Sequence, residues 1–205
     1  MPTITSIVLQ KNQKRVNIYL DGKFGFGLDL ENFVKLGLKA ERELSKEEVE
    51  DIIKKASFQK VYEKILKFAS LRPRSEREFK DWLKKHKVDR NFQPELFNRL
   101  KKLNFLDDKK FALWWVKQRK EFRLKSKKEL IQELRLKGIP KDIIEEVLSK
   151  IDIDEINTAR NLLEKKKYLW EGLKGVESRK RKLEFLLRHG FDWEVINKVV
   201  GVFPP

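Results

Sequence analysis

Two rhythms of apolar residues run along the chain. Over residues 4–10 (ITSIVLQ) and 16–20 (VNIYL), β-branched and aromatic residues form short runs separated by the polar KNQKR, the pattern of a β-hairpin. Asp21-Gly22 signals a turn, and KFGFGLDL supplies a third short strand. From Ser45 onward the spacing becomes that of helices with one buried face, beginning with Val49, Ile52 and Ile53. Val61, Ile65, Phe68 and Ala69 then mark one face, Phe79, Trp82 and Leu83 a second, and Leu96, Phe97, Leu100 and Leu103 a third. The pattern returns in Phe111, Ala112, Trp115 and Val116, in Leu130, Ile131 and Leu134, and in Ile143, Ile144, Val147 and Leu148. It returns again in Ile156, Ala159, Leu162 and Leu163, in Leu183, Leu186 and Leu187, and in Trp193, Ile196, Val199 and Val200.

The breaks between helices are chemical. In RPRSEREFKDWLKKHKV (72–88), Pro73 lacks an N–H and disfavours helical geometry at Arg72, so one helix ends near Leu71. Ser75 and Glu78 then stand at capping-box spacing, as do Ser45 and Glu48, and Ser126 and Glu129. Ser126 lies 51 residues after Ser75, and Ser178 lies 52 after Ser126. Leu83, Leu134 and Leu186 occupy one position of this frame; Lys87, Gly138 and Gly190 another; Val88, Ile139 and Phe191 the next. The chain is a threefold internal repeat. Gly138 and Gly190 fall where a helix end wants a left-handed residue, and Pro140 can open the following helix. The expected fold is mainly α: three tandem three-helix repeats over 58–106, 107–151 and 152–205, in an elongated curved array, after a small β-hairpin/α module over 1–57.

Charge sharpens the picture. The 205 residues carry a net +16 and a pI near 9.8, which favours polyanionic partners. Residues 1–57 contribute only +1, whereas 58–106 hold +8, 107–151 hold +5 and 152–205 hold +2. The basic character therefore belongs to the repeats. The absence of cysteine excludes disulfides and thiolate chemistry. MPTITSIVLQK lacks the pattern of a secretory signal, and no run of apolar residues is long enough to span a bilayer. A soluble, cytoplasmic, monomeric protein is expected.

Candidate chemistry is sparse. Asp107-Asp108 reads as a helix cap with a second carboxylate at the positive helix end, since no histidine stands near to complete a metal set. His86 and His189 share one repeat position, which points to a structural role at a helix end. GKFGFG (22–27) lacks the Lys-Ser/Thr of a phosphate loop and reads as strand glycines. KKKYLWEGLKG (165–175) reads as a connector with an apolar anchor. No nucleophile, base or metal set converges, so neither an enzyme nor a cofactor is expected. The basic positions are the site candidates. Arg72, Arg74 and Arg77 cluster at the helix break of the first repeat. Lys117, Arg119, Lys120, Arg123, Lys125, Lys127 and Lys128 crowd the same junction of the second. Like charges concentrated at equivalent positions repel unless a polyanion or acidic surface compensates. Trp114, about a hundred degrees around the helix from Trp115, either packs between repeats or stacks on a base or a partner side chain.

LRPRSEREFKDWL (71–83), LDDKKFALWWVKQR (106–119) and ELRLKGI (133–139) resemble the signature segments of the RecX family, bacterial regulators of the RecA recombinase. LLRHGFDWEVI (186–196) is similar to that family's third repeat, and RVNIYLDGKFGFGL to the N-terminal extension of its longer members. Lys87 departs from the pattern, as do the extra residues DRNFQP before the last helix of the first repeat. The resemblance implies a non-enzymatic protein that binds the RecA nucleoprotein filament and depresses its ATPase, strand exchange and co-protease activities. It implies a role in homologous recombination, DNA repair and the SOS response, with weaker binding to single- and double-stranded DNA. The basic face would make those contacts. The rival reading is a helix-turn-helix-like protein acting on naked DNA.

Overall fold

A computed structural model describes residues 1–11 and 13–201. Asn12, in the expected hairpin turn, and residues 202–205, at the end of the expected third repeat, lie outside the described residues. The chain divides into two compact units, Met1–Phe68 with Val88–Leu96, and Ala69–Lys87 with Phe97–Pro205.

In the first unit, β1 (Ile4–Leu9), β2 (Arg15–Leu20) and β3 (Lys23–Asp29) form an antiparallel sheet in sequence order, as the alternation and the Asp21-Gly22 turn predict. Val16, Ile18, Phe26 and Leu28 point to one face, where they meet Leu38, Leu44, Ile52 and Ala56. The β2–β3 register shifts: Ile18 pairs with Phe26 but Tyr19 with Phe24, leaving Gly25 as the extra residue of a bulge. A short helix, α1 (Leu30–Lys35), follows directly, capped by Asp29. Then α2 (Lys46–Ser70) runs unbroken through the boundary expected between residues 57 and 58, because ASFQK contains no glycine or proline to stop it. Its N-terminus is the expected capping box, Glu48 N–H to Ser45 Oγ at 3.1 Å and Ser45 N–H to Glu48 Oε2 at 2.8 Å. A 3₁₀ turn at Arg90–Phe92 sets Phe92 edge-on to Phe58, centroids 5.4 Å apart.

The remaining helices follow the periodicity: α3 (Glu76–Lys85) and α4 (Gln93–Lys102) come after the end of α2, which carries Val61, Ile65, Phe68 and Ala69. Two sets of three follow, α5 (Asp108–Phe122), α6 (Lys127–Leu136) and α7 (Lys141–Lys150), and α8 (Glu155–Lys165), α9 (Gly175–Arg188) and α10 (Trp193–Val200). The second repeat closes on Phe111, Ala112, Val116, Leu130, Leu134, Ile144 and Val147, all within 2% of full burial. The third closes on Ala159, Leu162, Leu163, Phe185, Leu186, Phe191 and Ile196, anchored by Trp170 from the 165–175 connector. Four expected core residues lie outside: Ile53 is 40% exposed, Leu103 49%, Leu187 47% and Trp193 52%. Leu103 falls just past the end of α4, Leu187 is turned from Leu186 by one helical step, and Trp193 opens α10. Among the described residues, no helix is long and apolar enough to cross a membrane.

Candidate functional site

The second unit contains two junctions between repeats, and they are built alike. At the N-terminus of α3, Ser75 Oγ accepts from Glu78 N–H (3.2 Å) and Glu78 Oε2 accepts from Ser75 N–H (3.4 Å). Ser126 and Glu129 repeat the same two distances at α6. Both serines are fully buried. A third cap arrives from the following repeat: Asp108 Oδ1 accepts from Glu76 N–H at 2.8 Å, and Glu155 Oε1 from Lys127 N–H at 3.0 Å. Asp107, as expected, caps its own helix through Lys110 N–H at 2.9 Å. Burial, reinforced by the carboxylates of Glu76 and Asp107, pushes Asp108 above the ordinary aspartate value.

The glycines mark the closest approach. Gly138 has φ +80°, and a Cβ there would meet Arg77 Cβ at 2.8 Å; at Gly190 (φ +74°) it would meet Lys128 Cβ and Ser126 Oγ at 3.2 Å. Ser126 also donates its hydroxyl proton to the His189 carbonyl at 2.6 Å. The aliphatic stems of Arg77 and Lys128 thus lie across the backbone of the next repeat while the side chains stay exposed. Lys87, the third member of this set, keeps the left-handed geometry (φ +50°) but is exposed, so a side chain fits there. His86 and His189 also match: each ring approaches the carbonyl four residues back through Nδ1 at 2.8 Å and lies against the aromatic there, Trp82 or Phe185.

At the third repeat the frame changes. Ser178 is not a cap; α9 begins three residues earlier, at Gly175, with Lys174 in the capping position and no side-chain cap bond. In the first two repeats the serine is buried beneath the repeat that follows. Ser178 is only half-buried, and the helix continues backward by a further turn.

A chain of alternating charges threads the first junction. Arg72 holds Glu78 in a two-pronged pair (3.0 and 2.8 Å), and Lys137 approaches the same carboxylate at 3.0 Å. Burial alone would raise Glu78, but the hydrogen bonds and charges of Arg72 and Lys137 outweigh it and hold the carboxyl at about 2. Lys137 also lies 4.9 Å above the Trp115 ring. The opposite charge to Arg119, 4.0 Å from the same ring, is Glu133, which accepts from Arg119 Nε at 2.7 Å and from the Trp115 indole N–H at 2.8 Å. Lys125 closes the chain between Glu129 (3.0 Å) and Glu133 (3.8 Å). Burial and repulsion from Arg72 draw Arg74 below the usual guanidinium value. Trp114 is partly buried against Phe111 and Trp115, with the Arg72 guanidinium 5.6 Å above its ring.

The ten expected cations therefore fall into two groups. Arg72, Arg74, Arg119 and Lys125 are half-buried, three of them in the chain of charges just described. Arg77, Lys117, Lys120, Arg123, Lys127 and Lys128 are exposed, Lys120 donating to the Asp152 carbonyl at 2.6 Å. Sequence reasoning missed Glu78, Glu133 and Lys137 as the groups that sort them, because their pairings reach up to 59 residues. It also missed the forward caps. The recurrence of Asp107-Asp108 as Asp154-Glu155, at the start of successive repeats, is the signal that could have found them. Among the described residues no group of three or more acidic or histidine side chains is placed to hold a metal.

Tandem three-helix units joined by caps, following a small sheet module in the sequence, define a helical repeat protein. Known proteins agree. Residues 2–45 match the "Regulatory protein RecX N-terminal domain", 107–148 "RecX, second three-helix domain" and 153–200 "RecX, third three-helix domain". The chain is 35% identical to the Regulatory protein RecX of Bacillus licheniformis over 199 residues, covering 96% of this chain and 76% of that one. It is 34% identical to that of Clostridium perfringens over 211 residues, covering 98% and 95%. A crystal structure of regulatory protein RecX superposes with a TM-score of 0.75 at 24% identity, covering 98% of this chain and all of the other. That of RecX from Lactobacillus salivarius gives 0.61 at 23%, covering 71% and 95%. The chain belongs to the RecX family, whose members are regulatory proteins and not enzymes.

Proposed function

We propose that this protein regulates a RecA-type recombinase by binding its nucleoprotein filament, using the exposed cations of the repeat junctions as the contact face. The observation that carries the reading is the division of the basic residues. Where a cation serves the fold, a glutamate partner is supplied: Glu78 for Arg72 and Lys137, Glu133 for Arg119, Glu129 for Lys125. Arg77 and Lys128 occupy identical positions in successive repeats and are exposed, and Lys127 and Arg123, close to Lys128 in the sequence, are exposed as well. Two such sets, one repeat apart, suit a partner with its own regular array of acidic groups or phosphates. Inhibition then needs no chemistry by this protein: bridging neighbouring recombinase subunits opposes filament growth and cycling.

The test is the recombinase's DNA-dependent ATPase. Substoichiometric protein suppresses it at a salt concentration where binding to naked duplex has vanished. The triple variant Arg77→Glu, Lys127→Glu, Lys128→Glu loses that suppression with its helical spectrum intact. Arg72 is unsuited to this purpose, because its reversal breaks the pair with Glu78. Unchanged suppression by the triple variant removes these residues from the face. Tight duplex binding with a steep salt dependence, and no effect on ATPase beyond it, establishes the naked-DNA reading instead.

A further inference from the structure

The N-terminal module carries an open cleft of about 580 Å³, a volume usual for ligand sites, between the β2–β3 strands and α2. We propose that this cleft binds single-stranded nucleic acid, with Phe24 as the stacking platform for an unpaired base and Lys60 and Lys64 as phosphate contacts. The inference concerns the sheet module and does not rest on the filament reading.

Phe24 and Phe26 are two residues apart, a spacing that places side chains on one face of a regular strand. Yet Phe26 is 4% exposed and Phe24 60%. The bulge at Gly25 separates them, turning one ring into the core and the other to solvent, with Tyr19 holding Phe24 edge-on at 6.0 Å. Gly25 admits no side chain, since a Cβ would stand 2.9 Å from Leu20 Cγ. Gly27 leaves the cleft floor bare; a side chain there would rest on Asn17 and Gln10. Those two amides are locked together, Gln10 Nε2 to Asn17 Oδ1 at 2.6 Å, and present donors and acceptors of the kind that meet base edges. Arg15 is fixed at the floor by its bond to the Gly27 carbonyl (3.0 Å), adding positive charge. Lys60 and Lys64, exposed one helical turn apart, line the opposite wall, where Glu63 is the lone carboxylate among the lining residues.

An exposed ring, amides and cations around one open cleft are the parts that single-strand binders combine. A paired duplex keeps its base faces inside the stack, where Phe24 cannot reach them. An extended peptide adding to the outer edge of β3 would bind through backbone groups and would not depend on the Phe24 ring.

The experiment uses the full chain in the Arg77→Glu, Lys127→Glu, Lys128→Glu background, so that the repeats contribute little. A fluorescein-labelled oligothymidine strand and a duplex of equal length are titrated by anisotropy. Phe24→Ala weakens strand binding about 5- to 100-fold, the range for losing one base–aromatic stack. Phe24→Trp preserves it, and duplex binding changes less than about 2-fold in either. Lys60→Ala with Lys64→Ala weakens strand binding and lowers its salt slope by about 1 to 2. Circular dichroism checks that the variants stay folded. The proposal is overturned if Phe24→Ala binds the strand as its parent does, if strand and duplex binding fall together, or if an oligoglutamate peptide binds the cleft more tightly than the strand. ATPase suppression by Phe24→Ala alone reports on the filament reading separately.

Discussion

Replacing Glu78 by glutamine removes the negative charge between Arg72 and Lys137 but leaves a side chain of the same shape, still able to accept from Ser75 N–H. The cost can be worked from the carboxyl's acidity. Holding it at about 2, against an ordinary 4.5, corresponds to a ceiling of roughly 3 kcal/mol at ~1.36 kcal/mol per pH unit. Arg72 and Lys137 each keep 30% of their side-chain surface exposed, so solvent screens the pair. A loss of about 1–2 kcal/mol is expected near neutral pH. Because folding depresses this pKa, the stabilisation is whole above about 4.5 and fades as pH falls toward about 2. Urea unfolding of both proteins, followed by circular dichroism near neutral pH and at about pH 3, measures the difference. It should shrink in acid. Glu129→Gln, which gives up the pair with Lys125, should cost less, about 0.5–1 kcal/mol. A Glu78→Gln loss below about 0.5 kcal/mol, or one that stays constant into acid, would refute the reasoning.

Gly138→Ala combines a left-handed backbone with a 2.8 Å approach to Arg77, and should destabilise by about 2 kcal/mol or more in thermal unfolding. Lys87→Gly, at an exposed left-handed position, should instead be neutral or stabilising by up to about 1 kcal/mol. Ser126→Ala breaks a buried cap and orphans the His189 carbonyl, costing about 1–3 kcal/mol, whereas Ser178→Ala should be near neutral in the same melts. Glu146, held at about 2 by Lys109 and Lys150, should move toward 4.5 in Lys109→Ala, as read by NMR titration of its side-chain carboxyl.

What the sequence made legible was local. Ser75 with Glu78 and Ser126 with Glu129 are caps that close within four residues, and their spacing alone predicts them. Ser178 repeats the residue but not its role: α9 starts at Gly175, without a side-chain cap bond. Helix α2 crosses an expected boundary because nothing between residues 56 and 60 breaks a helix. The basic residues were legible as a cluster but not by role. Whether Arg72 serves the fold or a partner turns on Glu78 and Lys137, and Lys137 is 65 residues away along the chain. A groove built from a bulge, two glycines and a distant helix turn is likewise invisible until the register is known.

The carboxylates of Asp108 and Glu155 give the molecule a direction. Each completes the opening turn of a helix synthesised some thirty residues earlier, so a unit leaving the ribosome has an unfinished end until its successor emerges. Damage to the last unit should accordingly loosen the one before it, whereas damage to the first takes no such carboxylate from its successors.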